Sequence, residues 1–172
     1  RSLEITTVEN IWQAMQPVSV TAVRTIDGTS THLDLGSFEA DGAPTLSTYS
    51  FSEDGVYQVT IQAVDAAGNS AVKTISFTID RTAPVLSMSG VSAGAYSSTP
   101  VTVHFQSVES FFETNDVKIN VERKLAGSTF GRAIDFSNTG KTSSVSNTFT
   151  EDGDYTITFS ATDGAGNIAA TQ

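Results

Sequence analysis

Two acidic turns recur in this chain of 172 residues, Glu53-Asp54-Gly55 and, at an offset of 98, Glu151-Asp152-Gly153. A tyrosine follows each (Tyr57, Tyr155), then an alternating run, then a second polar turn: Asp65-Ala66-Ala67-Gly68-Asn69 in one copy, Asp163-Gly164-Ala165-Gly166-Asn167 in the other. Carboxylates and amides are hard oxygen donors, and six to eight such oxygens suit Ca²⁺. The same residues have a purely structural use. Asp closes tight turns through its side-chain oxygen, and glycine accepts positive φ. On that reading Asp65 and Asn69, like Asp163 and Asn167, brace loops built around Gly68 and Gly166.

Residues for catalysis are harder to assemble, and no catalytic residue is expected. His32 and His104 fall at non-equivalent places in the two copies, and His104 takes the outward parity of the Val101–Val103–Phe105 run, as a solvated surface histidine does. The serines show no G-x-S-x-G elbow. Zinc-type spacing, a phosphate-cradling glycine loop and a dinucleotide fingerprint are all missing from the sequence. There is no cysteine, which removes thiol chemistry and disulfides and suits an exported protein that folds without oxidation. A net charge of −10 makes nucleic acid and anionic membrane surfaces poor partners. No apolar run is long enough to span a bilayer, and the first residues lack a signal-peptide pattern. A chain opening on Arg1 reads as a mature product or an excised fragment.

The elements that must position these residues follow from a period of two. Tyr155, Ile157, Phe159 and Ala161 share one parity while Asp154, Thr156, Thr158, Ser160 and Thr162 share the other. That pattern marks a half-buried antiparallel strand. Tyr57, Val59, Ile61 and Ala63 repeat it, and alternation resumes after Asn69 with Ala71, Lys73, Ile75, Phe77 and Ile79, giving a hairpin around the Gly-Asn turn. The repeat extends upstream: Val18, Val20, Ala22 and Arg24 match Val117, Ile119, Val121 and Arg123, and "TVENIW" around Glu9 matches "SVESFF" around Glu109. The recurring arginine reads as a cross-strand pair with no function of its own.

These matches predict an all-β chain of two tandem Greek-key sandwiches of immunoglobulin type, residues 1–82 and 83–172, divided near Pro84. Residues 84–100 have no match in the first copy, so the first domain is expected to lack its opening strand. Lys73 to Asp80 match positions that begin at Thr171, so the last strand of the second is expected to be short. Tyr57 and Tyr155 stand two residues before inward Val59 and Ile157, where an immunoglobulin-type tyrosine corner is expected. The aliphatic residue takes the place antibody domains give to cysteine, so packing must replace the disulfide.

The run "YQVTIQAVDAAGNSAVKTISFTIDRTAP" resembles the end of bacterial immunoglobulin-like repeats strung along surface proteins, although hyalin-type repeats share its D-x-A-G-N turn. The resemblance covers the last third of each copy, and implies the fold and an extracellular, bacterial cell-surface setting. In that topology the linker would join the corner end of one domain to the loop end of the next. A junction calcium site is therefore one expectation, gathering Glu53, Asp54, Asp80, Glu109, Asp163 and Asn167. Arg81 and the lack of a D-x-D-x-D-G loop speak against it, and structural turns are the other reading. Loop aromatics Trp12, Phe111 and Phe112 could stack on a ligand or plug the end of each sandwich. The expected role is a spacer or stalk, in an adhesin among other settings, with neighbouring repeats as partners. The alternatives are a module that binds a host protein or polysaccharide through loops at one end, and an accessory domain of a secreted enzyme.

Overall fold

The structure is a computed structural model and describes residues 1–8, 17–39, 45–112, 115–138 and 140–171. All regular elements in it are strands, as the period of two predicts. The chain divides into two compact units, Arg1–Asp80 and Arg81–Gln172.

The first unit contains β1 (Ser2–Thr7), β2 (Val18–Ile26), β3 (Thr29–Phe38), β4 (Thr45–Ser50), β5 (Gly55–Val64) and β6 (Ser70–Ile79). They form a four-stranded antiparallel sheet in the order β3-β2-β5-β6 and a two-stranded sheet of β1 and β4. Alternation places Val18, Val20 and Ala22 of β2 and Tyr57 and Val59 of β5 in the core, facing Ile5 of β1 and Phe51. Phe51, Tyr57 and Phe77 pack ring on ring, with centroids 5.1–5.2 Å apart.

The second unit contains β7 (Val85–Ser89), β8 (Val101–Val108), β9 (Asp116–Leu125), β10 (Ser128–Ile134), β11 (Thr142–Phe149), β12 (Asp154–Thr162) and β13 (Ile168–Thr171). The sheet β10-β9-β12-β13 repeats the four-stranded sheet of the first unit, and the other sheet has three strands, β11-β8-β7. Val103, Phe105, Ile119, Val121, Phe149 and Phe159 form the buried centre. In this unit β7 lies on the outer side of β8, a place that no described strand takes beside β1. β13 pairs only with Phe159–Thr162 of β12, whereas β6 pairs with all of β5. With no cysteine in the chain, both sandwiches hold without a disulfide.

Tight hairpins set the register of the first strand pair of each larger sheet. Ile26 pairs with Thr29 around Asp27 (φ 47°) and Gly28 (φ 77°), and Leu125 pairs with Ser128 around Ala126 (φ 50°) and Gly127 (φ 84°). Two successive positive φ values match the right-handed twist of the flanking strands. Aspartate tolerates that conformation better than alanine, so the second unit carries the more strained turn.

Candidate functional site

The acidic turn of each unit is a latch. Tyr57 donates its hydroxyl to the Glu53 carbonyl at 2.9 Å, and Tyr155 donates to the Glu151 carbonyl at 2.8 Å. From strand β2, Arg24 donates through Nε to the Asp54 carbonyl at 2.8 Å and pairs with the Glu53 carboxylate at 2.5 Å. Arg123 of β9 makes the equivalent contacts through Nη1, with the Asp152 carbonyl at 3.3 Å and the Glu151 carboxylate at 2.6 Å. The glycine of each turn lies beneath that arginine. A Cβ on Gly55 would come within 2.8 Å of Arg24 Cγ, and one on Gly153 within 2.8 Å of Arg123 Cγ, at φ of 153° and 146°. The sequence reading gave the recurrent arginine no function; its role is to hold a turn some 30 residues further along the chain. What could have revealed it is that Arg and E-D-G recur together at matched spacing.

The D-x-A-G-N turns are also self-contained. In the first unit Asp65 accepts from the backbone N–H and the side-chain amide of Asn69, both at 2.7 Å. In the second, Asp163 accepts from the N–H groups of Ala165 and Asn167 at 2.8 and 2.9 Å, and from the Asn167 amide at 2.8 Å. Gly68 (φ 88°) and Gly166 (φ 91°) close the turns by donating to the carbonyls of Asp65 and Asp163. The Asn69 amide and the surrounding N–H groups hold the Asp65 carboxyl below its ordinary value. For Asp163 burial pushes upward, but the Asn167 amide and three N–H donors outweigh it and leave the pKa lowered. Both groups are therefore carboxylates at neutral pH, with their charge held by donors from their own turn.

The residues of the calcium expectation fall in several environments. Glu53 is exposed and committed to Arg24, and Asp54 belongs to the same turn. Asp80 closes the first unit and is buried. Glu109 and Asp163 are buried in the second unit, with carboxylate oxygens within 4.8 Å of one another. Glu109 accepts from the N–H groups of Ser110 and Phe111 at 2.7 and 2.9 Å, and Lys141 donates to the neighbouring Ser110 carbonyl. Asn167 reaches from Asp163 to the Thr82 carbonyl at 3.4 Å.

Among the aromatics, Trp12 lies outside the described residues. Phe111 and Phe112 are half-buried, and Phe112 rests on Gly164, where a Cβ would come within 2.7 Å of its ring. Both histidines are exposed, and His104 shares a 2.7 Å hydrogen bond with the Ser146 hydroxyl on the outer face.

No curated protein matches the chain significantly. The family model described as the bacterial Ig-like domain matches residues 7–81, which span the latch, the Asp65–Asn69 turn and strands β2 to β6. Bacterial Ig-like domains commonly occur in surface or extracellular proteins as structural modules and are typically non-catalytic. Residues 7–81 thus belong to the bacterial Ig-like domain family.

Proposed function

We propose that the chain serves as a pair of spacer modules that hold other parts of a secreted or cell-surface bacterial protein at a distance, as in the stalk of an adhesin. The observation that supports this most is the latched corner, built from the same Arg, Glu and Tyr in both units. Each unit also has its own core, so each can resist force on its own account. A module selected for ligand chemistry alone has no need to duplicate a structural corner. Neighbouring repeats are the expected partners on this reading, and nucleic acid is not.

Pulling on the full chain between fixed handles tests the idea. The expected record has two separate unfolding events, with Arg24→Ala weakening one and Arg123→Ala the other. A single low-force event, or variants that unfold like the parent, would overturn it.

Calcium enters as a secondary proposal through Glu109 and Asp163, whose oxygens are hard ligands already drawn together in one unit. The expected result is a higher melting temperature in excess Ca²⁺ than in chelator. Identical melting curves would sink it.

A further inference from the structure

The two units diverge most informatively at the edge of the larger sheet. In the first, Leu33 of β3 stands opposite Ala22 and packs against the core. In the second, Arg132 of β10 stands opposite Val121, which is buried. Directly opposed residues on antiparallel strands share a face. Arg132 therefore occupies the core-side face, at the place where the first unit has leucine. Two residues earlier, Thr31 opposite Arg24 gives way to Phe130 opposite Arg123. Phe130 is 49% exposed. β10 and β11 are edge strands of the two sheets of this unit. Between them runs an open groove of about 400 Å³, lined by Arg132, Phe130, Arg123, Phe149, Thr148 and Tyr155 among others.

The charges in the groove are not equivalent. Arg123 is spent on Glu151, at 2.6 Å. Arg132 has no carboxylate within ion-pair distance among the described residues. It is nevertheless held in place: its guanidinium carbon lies 5.3 Å from the Phe149 ring centroid. The Asn147 side chain, oriented to satisfy both ends of its amide, accepts from Arg132 Nη2 at 2.9 Å. A chain of net charge −10 thus presents one fixed, unneutralised guanidinium in a concave site beside a half-exposed aromatic ring.

We propose that this groove binds an acidic saccharide, with a sugar carboxylate on Arg132 and a ring face against Phe130. The planar guanidinium fork matches a carboxylate through two parallel hydrogen bonds. The Arg123 guanidinium covers one face of Phe130, 4.7 Å from its ring centroid; the other face offers an apolar plate for the sugar C–H face, and the hydroxyls of Thr148 and Thr150 offer polar edges. The volume falls in the usual range for ligand sites, about 300–1,000 Å³. An acidic peptide brings its carboxylate on a flexible stem without the C–H face that Phe130 would cover, which favours the saccharide. A spacer has no use for such a site, so the proposal goes beyond the mechanical role. The competing account is that an inward charge on an edge strand blocks edge-to-edge pairing.

Titration calorimetry of the full chain with trigalacturonic acid tests the proposal, with its methyl ester and triglutamate as controls. Trigalacturonate should bind saturably, and the ester at least about tenfold more weakly. Arg132→Leu, which installs the residue of the first unit, should abolish binding without lowering the melting temperature. Arg132→Lys should bind at an intermediate level because it keeps the charge and loses the fork. Phe130→Thr should weaken binding severalfold. The proposal fails if the ester binds equally well, if Arg132→Leu binds like the parent, or if triglutamate binds as tightly. It also fails if trigalacturonate does not bind; self-association of Arg132→Leu would then assign Arg132 to edge protection.

Discussion

Strands β5 and β12 carry the same alternating pattern, yet β5 has β6 along its whole length and β2 from Val56 to Gln62, whereas β12 has β9 along its whole length and β13 only at Phe159–Thr162. Tyr57 and Val59 are 2% and 0% exposed, while their counterparts Tyr155 and Ile157 are only half-buried. Where β13 does lie alongside, Phe159 and Ala161 of β12 are buried. The smaller sheets reverse the contrast. Phe105 of β8, paired on both sides, is 0% exposed, while Ile5 and Leu3 of β1, paired with β4 alone among the described strands, are 6% exposed and half-buried respectively. Each unit is thus sealed where the other is open. Sequence alternation decides which face of a strand turns inward, and neighbouring strands are one influence on how far that face leaves water, since Ile61, paired on both sides, is still half-buried.

The contrast can be broken most directly in the smaller sheets. Phe105→Ala should cost about 3–5 kcal/mol. Ile5→Ala, at the equivalent place beside one described neighbour, should cost less, about 2–3 kcal/mol. Urea titration of amide signals from each unit would measure both, and equal losses would show that the flanking strand adds nothing to the core. The latch predicts symmetry instead. Gly55→Ala and Gly153→Ala should each cost about 1–3 kcal/mol, because both strain the backbone and displace the arginine above. A large loss in one unit alone would mean that the two corners are not equivalent.

Acid should weaken both D-x-A-G-N turns. Asp65 and Asp163 both have lowered folded pKa values, so their stabilisation is fully present above the ordinary value of 3.8 and is lost as pH falls through the lowered one. In the second unit burial opposes that stabilisation, because it works against the lowered value of Asp163. Asp163→Asn should flatten that loss in calcium-free buffer, as followed by thermal melts from pH 6 to 2. The smallest expected effect is a gain. Ala126→Asp, copying Asp27, should stabilise the second unit by about 0.5–1 kcal/mol by relieving the positive φ. No change in melting temperature would mean that the turn is unstrained.

What the sequence revealed is what depends on neighbours in the chain. The tyrosine corner joins residues four apart, and so does the Asp–Asn brace, so a short motif written twice exposed both. The arginine latch depends on two strands bringing distant residues together, and the sequence showed only that Arg24 and Arg123 recur. Arg132 was less legible still. Its significance lies in the register that sets it opposite Val121, and the segments after Arg24 and Arg123 differ enough to pass for ordinary loop drift. The loop aromatics stay an expectation: Trp12 falls outside the described residues, and in the second unit Phe112 rests on Gly164.

Aliphatic packing in place of a disulfide has a further consequence for a chain under tension. A covalent bridge between sheets would fence off the residues it encloses and cap how far a ruptured unit could extend. Here no such fence exists. The 80 residues of the first unit could pay out about 270 Å at roughly 3.4 Å per residue. Each sandwich is in that sense a reserve of slack, released whole when the latch gives way and rewound without an oxidant.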